Sequence, residues 1–336
     1  MWLKLLGAHV NGYSLDPPSD PSHFDLVYDH YPSIKGDINN GSYLLEVVKE
    51  FKPEIIFHLA AQALVRPSYT DPVLTYKTNV LGTLNVLEAA RKTESVQAII
   101  NVTSDKCYEN KEMNYAYNET DELGGFDPYS SSKASSEILT SSYRRSFFNP
   151  GLYQHDHKTL LASARAGNVI GGGDWGAHRI IPDLVRNVHD HKKTIIRNAD
   201  AIRPWQHVLE PLSGYLVLGQ QLLSNKVDYA EAWNFGPIDQ INKSVGDLVE
   251  LARKFWDRIS YESTKETEIM HEAGLLALDC TKSKQRLNWE NVWDLDKTVE
   301  RTILWYKQFY ESGRLNTISD IQEYISDAKY KGLAWT

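Results

Sequence analysis

Apolar positions along this chain follow two rhythms that alternate through its first half. Residues 54–60 (EIIFHLA) and 96–103 (VQAIINVT) are compact apolar runs, suited to strands covered on both faces. Residues 160–170 (LLASARAGNVI) read the same way, and 8–14 (AHVNGYS) as a shorter strand closed by Leu15-Asp16-Pro17-Pro18. Between them, 43–51 (YLLEVVKEF) has helical spacing and stops at Pro53. Residues 71–91 open with Asp-Pro, a favoured helix start, and hold a 3.6-residue period. Residues 128–148 read as another helix. Strand–helix–strand units in series pair in parallel through right-handed crossovers. The expected fold is α/β, a doubly wound parallel sheet. The second half is less regular, with helices expected at 179–190, 211–223, 244–256 and 295–312. Long loops set on such a sheet form a substrate-binding cap.

Composition narrows the class. The 336 residues are 42% hydrophobic and 24% charged, as in folded soluble proteins. No apolar run approaches the roughly 18 residues of a membrane span. The opening MWLKLLGAHVNG has a lysine inside its apolar stretch and no cleavage pattern, so a secretory leader is not expected. Two cysteines, Cys107 and Cys280, cannot make a disulfide scaffold and point to a reducing cytoplasm. Lys+Arg 36 against Asp+Glu 44 gives −8, which argues against a general nucleic-acid binder but leaves room for local basic pockets.

Candidate chemistry gathers at two places. Tyr129 and Lys133, at i and i+4, share one helix face. An ammonium beside a phenol favours phenolate, so such a tyrosine can serve as a general base; the alternative is an ordinary surface pair. Ser104-Asp105-Lys106 ends the strand at 96–103, and carboxyl ends of parallel strands are where doubly wound sheets place their chemistry. Alone, Ser104 and Asp105 read equally as a cap or turn. Asn79 lies inside a helix that suits it poorly, either as an exposed polar residue or as a bond that organises the active-site helix. Arg197 and Arg203 flank one loop; guanidinium gives bidentate bonds to phosphate oxygens, and the alternative is two solvated surface residues. The HxH spacings at 155/157 and 189/191 lack further ligands in range, so no metal site is read.

These residues sit in stretches that resemble a known family. PEIIFHLAAQALVRPSY (53–69), TNVLGT (78–83), NVTSDKCYEN (101–110), DPYSSSKASSE (127–137), RAGNVIGGGDW (165–175) and AIRPWQHVLEPLSGY (201–215) are similar to the extended short-chain dehydrogenase/reductases. Within them the chain resembles the nucleotide-sugar 4,6-dehydratases, on the branch that acts on CDP-glucose. The resemblance implies an NAD-dependent lyase in which Tyr129 takes the 4-hydroxyl proton, Lys133 lowers the phenol's pKa and Ser104 bonds the reacting oxygen. Asp105 would protonate the leaving 6-hydroxyl, and Lys106 stands where related enzymes carry the C5 base. It further implies NAD contacts from Asp37, Ile38, Leu59, Ala60, Ala61, Asn79, Tyr129 and Lys133. For CDP-glucose it implies Asn168, Arg179, Arg197, Arg203 and Trp175, the last as a stacking surface or as cap core. The division it implies is 1–170 for the dinucleotide-binding half and 171–336 mainly for the cap, with some segments returning to the sheet. A homodimer or larger homo-oligomer, seamed by helices 71–91 and 129–147, is the implied assembly.

One part of the family pattern is missing. The family opens with a strand and a GxxGxxG loop, which carries a pyrophosphate on a helix N-terminus. Residues 1–8 align past that loop, so the expectation is an N-terminally truncated chain whose sheet lacks its first strand and whose NAD affinity is low. Gly171-Gly-Gly-Asp-Trp-Gly176 satisfies GxGxxG, but no strand with an acidic ribose partner follows at the required spacing, so it is not read as a dinucleotide loop. The alternatives are a related nucleotide-sugar epimerase or reductase, and a catalytically silent remnant.

Overall fold

The computed structural model describes residues 1–27, 31–177, 179–196, 198–237, 243–264 and 276–335. The strands of the frame are β1 (Gly12–Ser14), β2 (Ser33–Lys35), β3 (Ile55–His58), β4 (Ala98–Val102), β5 (Leu160–Ala166) and β6 (Ala232–Phe235). The principal helices are α1 (Gly41–Phe51), α2 (Thr83–Arg91), α3 (Pro128–Ser146), α4 (Ile180–His189), α5 (Leu209–Leu223), α6 (Val245–Phe255), α7 (Leu295–Ser312) and α8 (Thr317–Tyr330).

The main sheet runs β6-β5-β4-β3, all parallel. The apolar runs of β4 and β5 are buried on both faces, as their composition requires, while Ile55, Ile56 and Phe57 of β3 are half-buried. Ile99 lies opposite Leu161, and the two pack with Leu87 and Ala90 of α2 and Tyr143 of α3. Ile100 lies opposite Ala162, and both face α5 through Tyr215, Leu218 and Leu222. A Cβ at Gly219 would stand 2.9 Å from Ile55 Cδ1, so the glycine lets α5 lie close on the sheet.

The sheet is broken. β1 pairs only with β2, and neither strand joins the four-stranded piece. The break falls between β1 and β3, and the two pieces share one apolar cluster. Tyr13 of β1 and Ile56 of β3 pack against Ile38, Leu44, Val86 and Ala89. The strand expected at 8–14 shrinks to Gly12–Ser14 because β2 offers a ladder of three residue pairs. The run at 160–170 also divides, with Leu160–Ala166 in the main sheet and Val169–Ile170 paired with Gln206–His207.

The expected helix at 71–91 is three pieces in line: Pro72–Tyr76, a π-turn at Lys77–Gly82, and α2. The Asp71 carboxylate caps it, accepting from Leu74 N–H at 2.9 Å. The widened turn centres on Asn79, whose amide is engaged outside the helix. The cap half has its own core, in which α4, α6 and α7 bring together Leu184, Val185, Leu248, Val249, Val299 and Ile303. The run at 171–176 belongs to this core. A Cβ at Gly172 would meet Trp305 Cγ at 2.1 Å, so the glycine's bare face receives the indole. Tyr306 Oη accepts from Asp174 N–H at 2.8 Å and donates to its carbonyl at 2.6 Å. Among the described residues no helix is long and apolar enough to cross a membrane.

Candidate active site

Three chain segments converge at the carboxyl end of β4. Ser104 leaves the strand in extended conformation and caps a 3-10 turn at Asp105–Cys107, its hydroxyl accepting from Lys106 N–H at 3.2 Å. The same hydroxyl donates to Asp105 Oδ1 at 3.0 Å and hydrogen-bonds the Tyr129 phenol. Tyr129 is the second residue of α3, a helix started by Asp127, which caps Ser130 N–H at 2.9 Å, and by Pro128. One turn on, Lys133 Nζ donates to the Val102 carbonyl, the last of β4, at 3.3 Å. Ser104, Asp105, Tyr129 and Lys133 are all buried.

Burial dominates their ionisation. The Tyr129 phenol is pushed up to about 12 by burial, although Ser104 and Arg179 pull it down. Lys133 is lowered to about 8, again by burial. In this structure the desolvation of Tyr129 outweighs the favourable influence of Ser104 and Arg179 on the phenol. Burial also raises the Asp105 carboxyl, against Lys106, Ser104 and Arg203, which lower it. Its Oδ2 is buried with no hydrogen-bond partner. A carboxyl that holds its proton above the ordinary range, beside a phenol and a hydroxyl, can move protons in both directions.

The other candidates divide. Arg179 and Arg203 lie within electrostatic reach of Tyr129 and Asp105 respectively. Arg179 also pairs with Asp174 at 2.8 Å. Asn168, just beyond β5, is half-buried and its carbonyl accepts from Gln206 N–H at 3.0 Å. Arg197 lies outside the described residues. Trp175 is 2% exposed, donates its indole N–H to Tyr310 at 3.0 Å and packs on Trp305, Tyr306 and Phe309. It is cap core and not a stacking surface.

Leu59 is 52% exposed at the end of β3, with Ala60 and Ala61 half-buried behind it. Asp37 follows β2 and turns its carboxylate onto Asn39, while Ile38 is buried in the cluster between the sheet pieces. Asn79 is 2% exposed and fully engaged by protein: it accepts from Gln62 N–H at 2.8 Å and donates to the Gln62 carbonyl at 3.0 Å and to Ser132 Oγ at 2.8 Å. It ties the loop after β3 to α3, which is the organising bond read from its poor fit to a helix. Sequence reasoning assigned nothing to Glu137 and Arg165, a buried ion pair at 2.9 Å directly behind the site. Glu137 continues the helical spacing of Tyr129 and Lys133 by four residues, the one local signal available. Among the described residues no group of acidic, histidine or cysteine side chains could hold a metal ion.

Comparison with known proteins gives the family. The family model described as GDP-mannose 4,6 dehydratase matches residues 22–302, and the chain belongs to that family. The CDP-glucose 4,6-dehydratase of Salmonella typhimurium is 45% identical over 331 residues, covering 97% of this chain and 92% of the relative. The dTDP-glucose 4,6-dehydratase of Streptomyces antibioticus is 27% identical over 277 residues, covering 82% of this chain and 76% of that one. In fold, the chain matches the UDP-glucose 4-epimerase of Thermotoga maritima with a TM-score of 0.77 at 19% identity, over 92% of this chain and 94% of that one. It matches the dTDP-glucose 4,6-dehydratase of Bacillus anthracis, solved with NAD, with a TM-score of 0.73 at 22% identity, over 93% and 92% of the two chains.

Proposed function

We propose that the protein is an NAD-dependent CDP-glucose 4,6-dehydratase, a hydro-lyase that yields CDP-4-keto-6-deoxyglucose and water for deoxysugar synthesis. The observation that carries this reading is the buried Asp105 with a free Oδ2 beside the Ser104–Tyr129 pair. Oxidation and reduction at C4 alone, as in an epimerase, need no acid there; loss of the 6-hydroxyl does. In this reading Tyr129 accepts the 4-hydroxyl proton with Ser104 bonding the same oxygen. The 4-ketone acidifies C5–H, and Lys106, in its neutral form, is assigned as the base that removes it. Asp105 delivers its proton to the departing 6-hydroxyl, so water leaves across C5 and C6. Bound NAD would supply the hydride acceptor for C4 and the hydride donor for C6, with no net redox change, and C5 would be protonated again as the hydride arrives.

The residues fit the two ends of NAD. Tyr129 and Lys133 are assigned to the nicotinamide side, and Asp37, Ile38, Leu59, Ala60 and Ala61, which follow β2 and β3, to the adenine side, where the two alanines would permit close approach. In the run at 171–176 the bare faces of Gly171, Gly172 and Gly173 are met by Val208, Trp305 and His23, which leaves no cradle for the phosphates. Asn168, Arg179, Arg197 and Arg203 are assigned to the sugar diphosphate. Exposed Val73, Leu74, Leu81 and Ile138 on the helices at 72–91 and 128–146 support a homodimer seam. Two buried cysteines with raised pKa values fit a reducing cytoplasm. The test is to supply CDP-glucose with NAD in the millimolar range and follow the sugar by NMR in deuterated water. A 4-keto-6-deoxy product carrying deuterium at C5 is expected. A C4 epimer, or conversion of UDP-glucose in preference to CDP-glucose, would sink the reading.

A further inference from the structure

The ion pair behind the site bears on Lys133. Glu137 follows Lys133 by one turn of α3, facing the same way on the helix. It is 3% exposed, and three donors fix its carboxylate. Thr103 Oγ1 donates to Oε1 at 2.5 Å, Ser163 Oγ to Oε2 at 2.7 Å and Arg165 Nη2 to Oε2 at 2.9 Å, while the second arm of Arg165 donates to Tyr108 Oη at 2.7 Å. Thr103 precedes the Ser104-Asp105 turn, and Arg165 is the penultimate residue of β5, three before Asn168. The pair therefore registers the ends of β4, β5 and α3 against one another.

The other groups facing Lys133 are neutral. His58 of β3 is lowered to about 3 by burial, so it carries no charge. Cys107 of the 3-10 turn is pushed far up by burial and stays a thiol. Val102 of β4 contributes a carbonyl. Asp105 and Asp127 bear on Tyr129. Cys107 and Glu137 both bear on Lys133 in the direction of its charged form, and of the two Glu137 is the carboxylate, fixed one helical turn away. Arg165 bears on Glu137, Cys107 and Tyr108, and Arg144 of α3 also faces Glu137.

We propose that Glu137 is a positioning residue whose fixed, buried carboxylate is the counter-charge that keeps Lys133 an ammonium beneath the reacting tyrosine. The proposal deepens the dehydratase reading, in which Lys133 must be charged, but its ionisation can be measured without substrate or cofactor. The experiment labels the whole chain with lysine carrying ¹³C at Cε and assigns Lys133 by the resonance lost in Lys133→Met. The midpoint of that resonance is followed with pH in wild type, Glu137→Gln and Glu137→Asp. The expected result is a midpoint about one pH unit lower in Glu137→Gln, a tenfold fall in the charged-to-neutral ratio at a given pH, with Glu137→Asp within a few tenths of wild type. Equal midpoints in wild type and Glu137→Gln would overturn the proposal, as would Glu137→Asp moving as far as Glu137→Gln. Because Glu137→Gln leaves a buried guanidinium unpaired, Glu137→Gln/Arg165→Gln is read alongside it, with the same lowered midpoint expected. Failure of both neutral variants to fold while Glu137→Asp folds would assign the pair to stability alone and overturn its role in ionisation. Absence of dehydratase turnover in wild type, with the Lys133 shift present, would sink the functional reading and leave this one standing.

Discussion

In the unliganded protein, Tyr129 should stay a phenol through pH 10. Burial places it at about 12, while Lys133 sits at about 8. A tyrosine acting as base beside a charged lysine needs the lysine to keep its proton while the phenol loses its own. At pH 7 a lysine at about 8 is mostly charged already, but a phenol at about 12 is ionised in roughly one molecule in 10⁵, about 7 kcal/mol uphill. Binding of cofactor and sugar nucleotide must supply most of that difference before Tyr129 can abstract a proton. The assay is ultraviolet difference titration of the unliganded chain, with the Tyr129→Phe titration subtracted to remove the other tyrosines. No Tyr129-dependent phenolate band is expected below pH 10, where about 1% would be ionised. A phenolate band at pH 8 that vanishes in Tyr129→Phe would refute the reasoning, because the desolvation would then have been overcome by protein groups alone.

Asp105→Asn keeps size but cannot give a proton to the 6-hydroxyl, so elimination should slow by roughly two to four decades while C4 oxidation persists. Bound NADH and a 4-keto-glucose species would accumulate, and equal loss of both steps would make Asp105 structural. Burial lowers His207 from 6.5 to about 3, so the unfolded chain takes up a proton below 6.5 that the folded chain refuses until about 3. Stability is therefore lost as pH falls through that window, by about 2 kcal/mol at pH 5. His207→Asn keeps an acceptor for Leu209 N–H without that ionisation, so urea melts at pH 7 and pH 5 should show wild type losing about 2 kcal/mol more than the variant; equal losses would contradict the assignment.

How far the sequence reaches can be judged element by element. Strands β3, β4 and β5 were legible because parallel strands buried on both faces leave continuous apolar runs. The helix expected at 295–312 coincides with Leu295–Ser312, whose start is set by the Asp294 cap and whose end is Gly313 in left-handed conformation. Within the candidate site, the sequence brings Ser104, Asp105, Tyr129 and Lys133 to one place because strand end and helix start are local signals. The π-turn at Lys77–Gly82 escaped notice, since it depends on Asn79 reaching Gln62 and Ser132, which are 17 and 53 residues away. Glu137 and Arg165 escaped for the same reason, being 28 residues apart. Helix α8 was missed although Ile321, Tyr324 and Ala328 carry its buried spacing. The reversed pKa order of Tyr129 and Lys133 comes from desolvation, which residue spacing does not record.

A sheet in two pieces has four edges where a continuous one has two. β4 and β5 are sealed on both sides, but on β3 the residues Ile55, Ile56 and Phe57 are only half-buried, and β1 faces the same break with its outer ladder unused. Backbone groups along such edges accept any extended chain of suitable length. The solution behaviour of this protein should therefore be governed by edge-to-edge association and not by loss of its core. Turbidity on storage should depend steeply on concentration and appear well below the melting temperature. A charged substitution on β3, such as Ile56→Lys, would lengthen the lag before it while leaving the amide protons of β4 and β5 as slow to exchange as before.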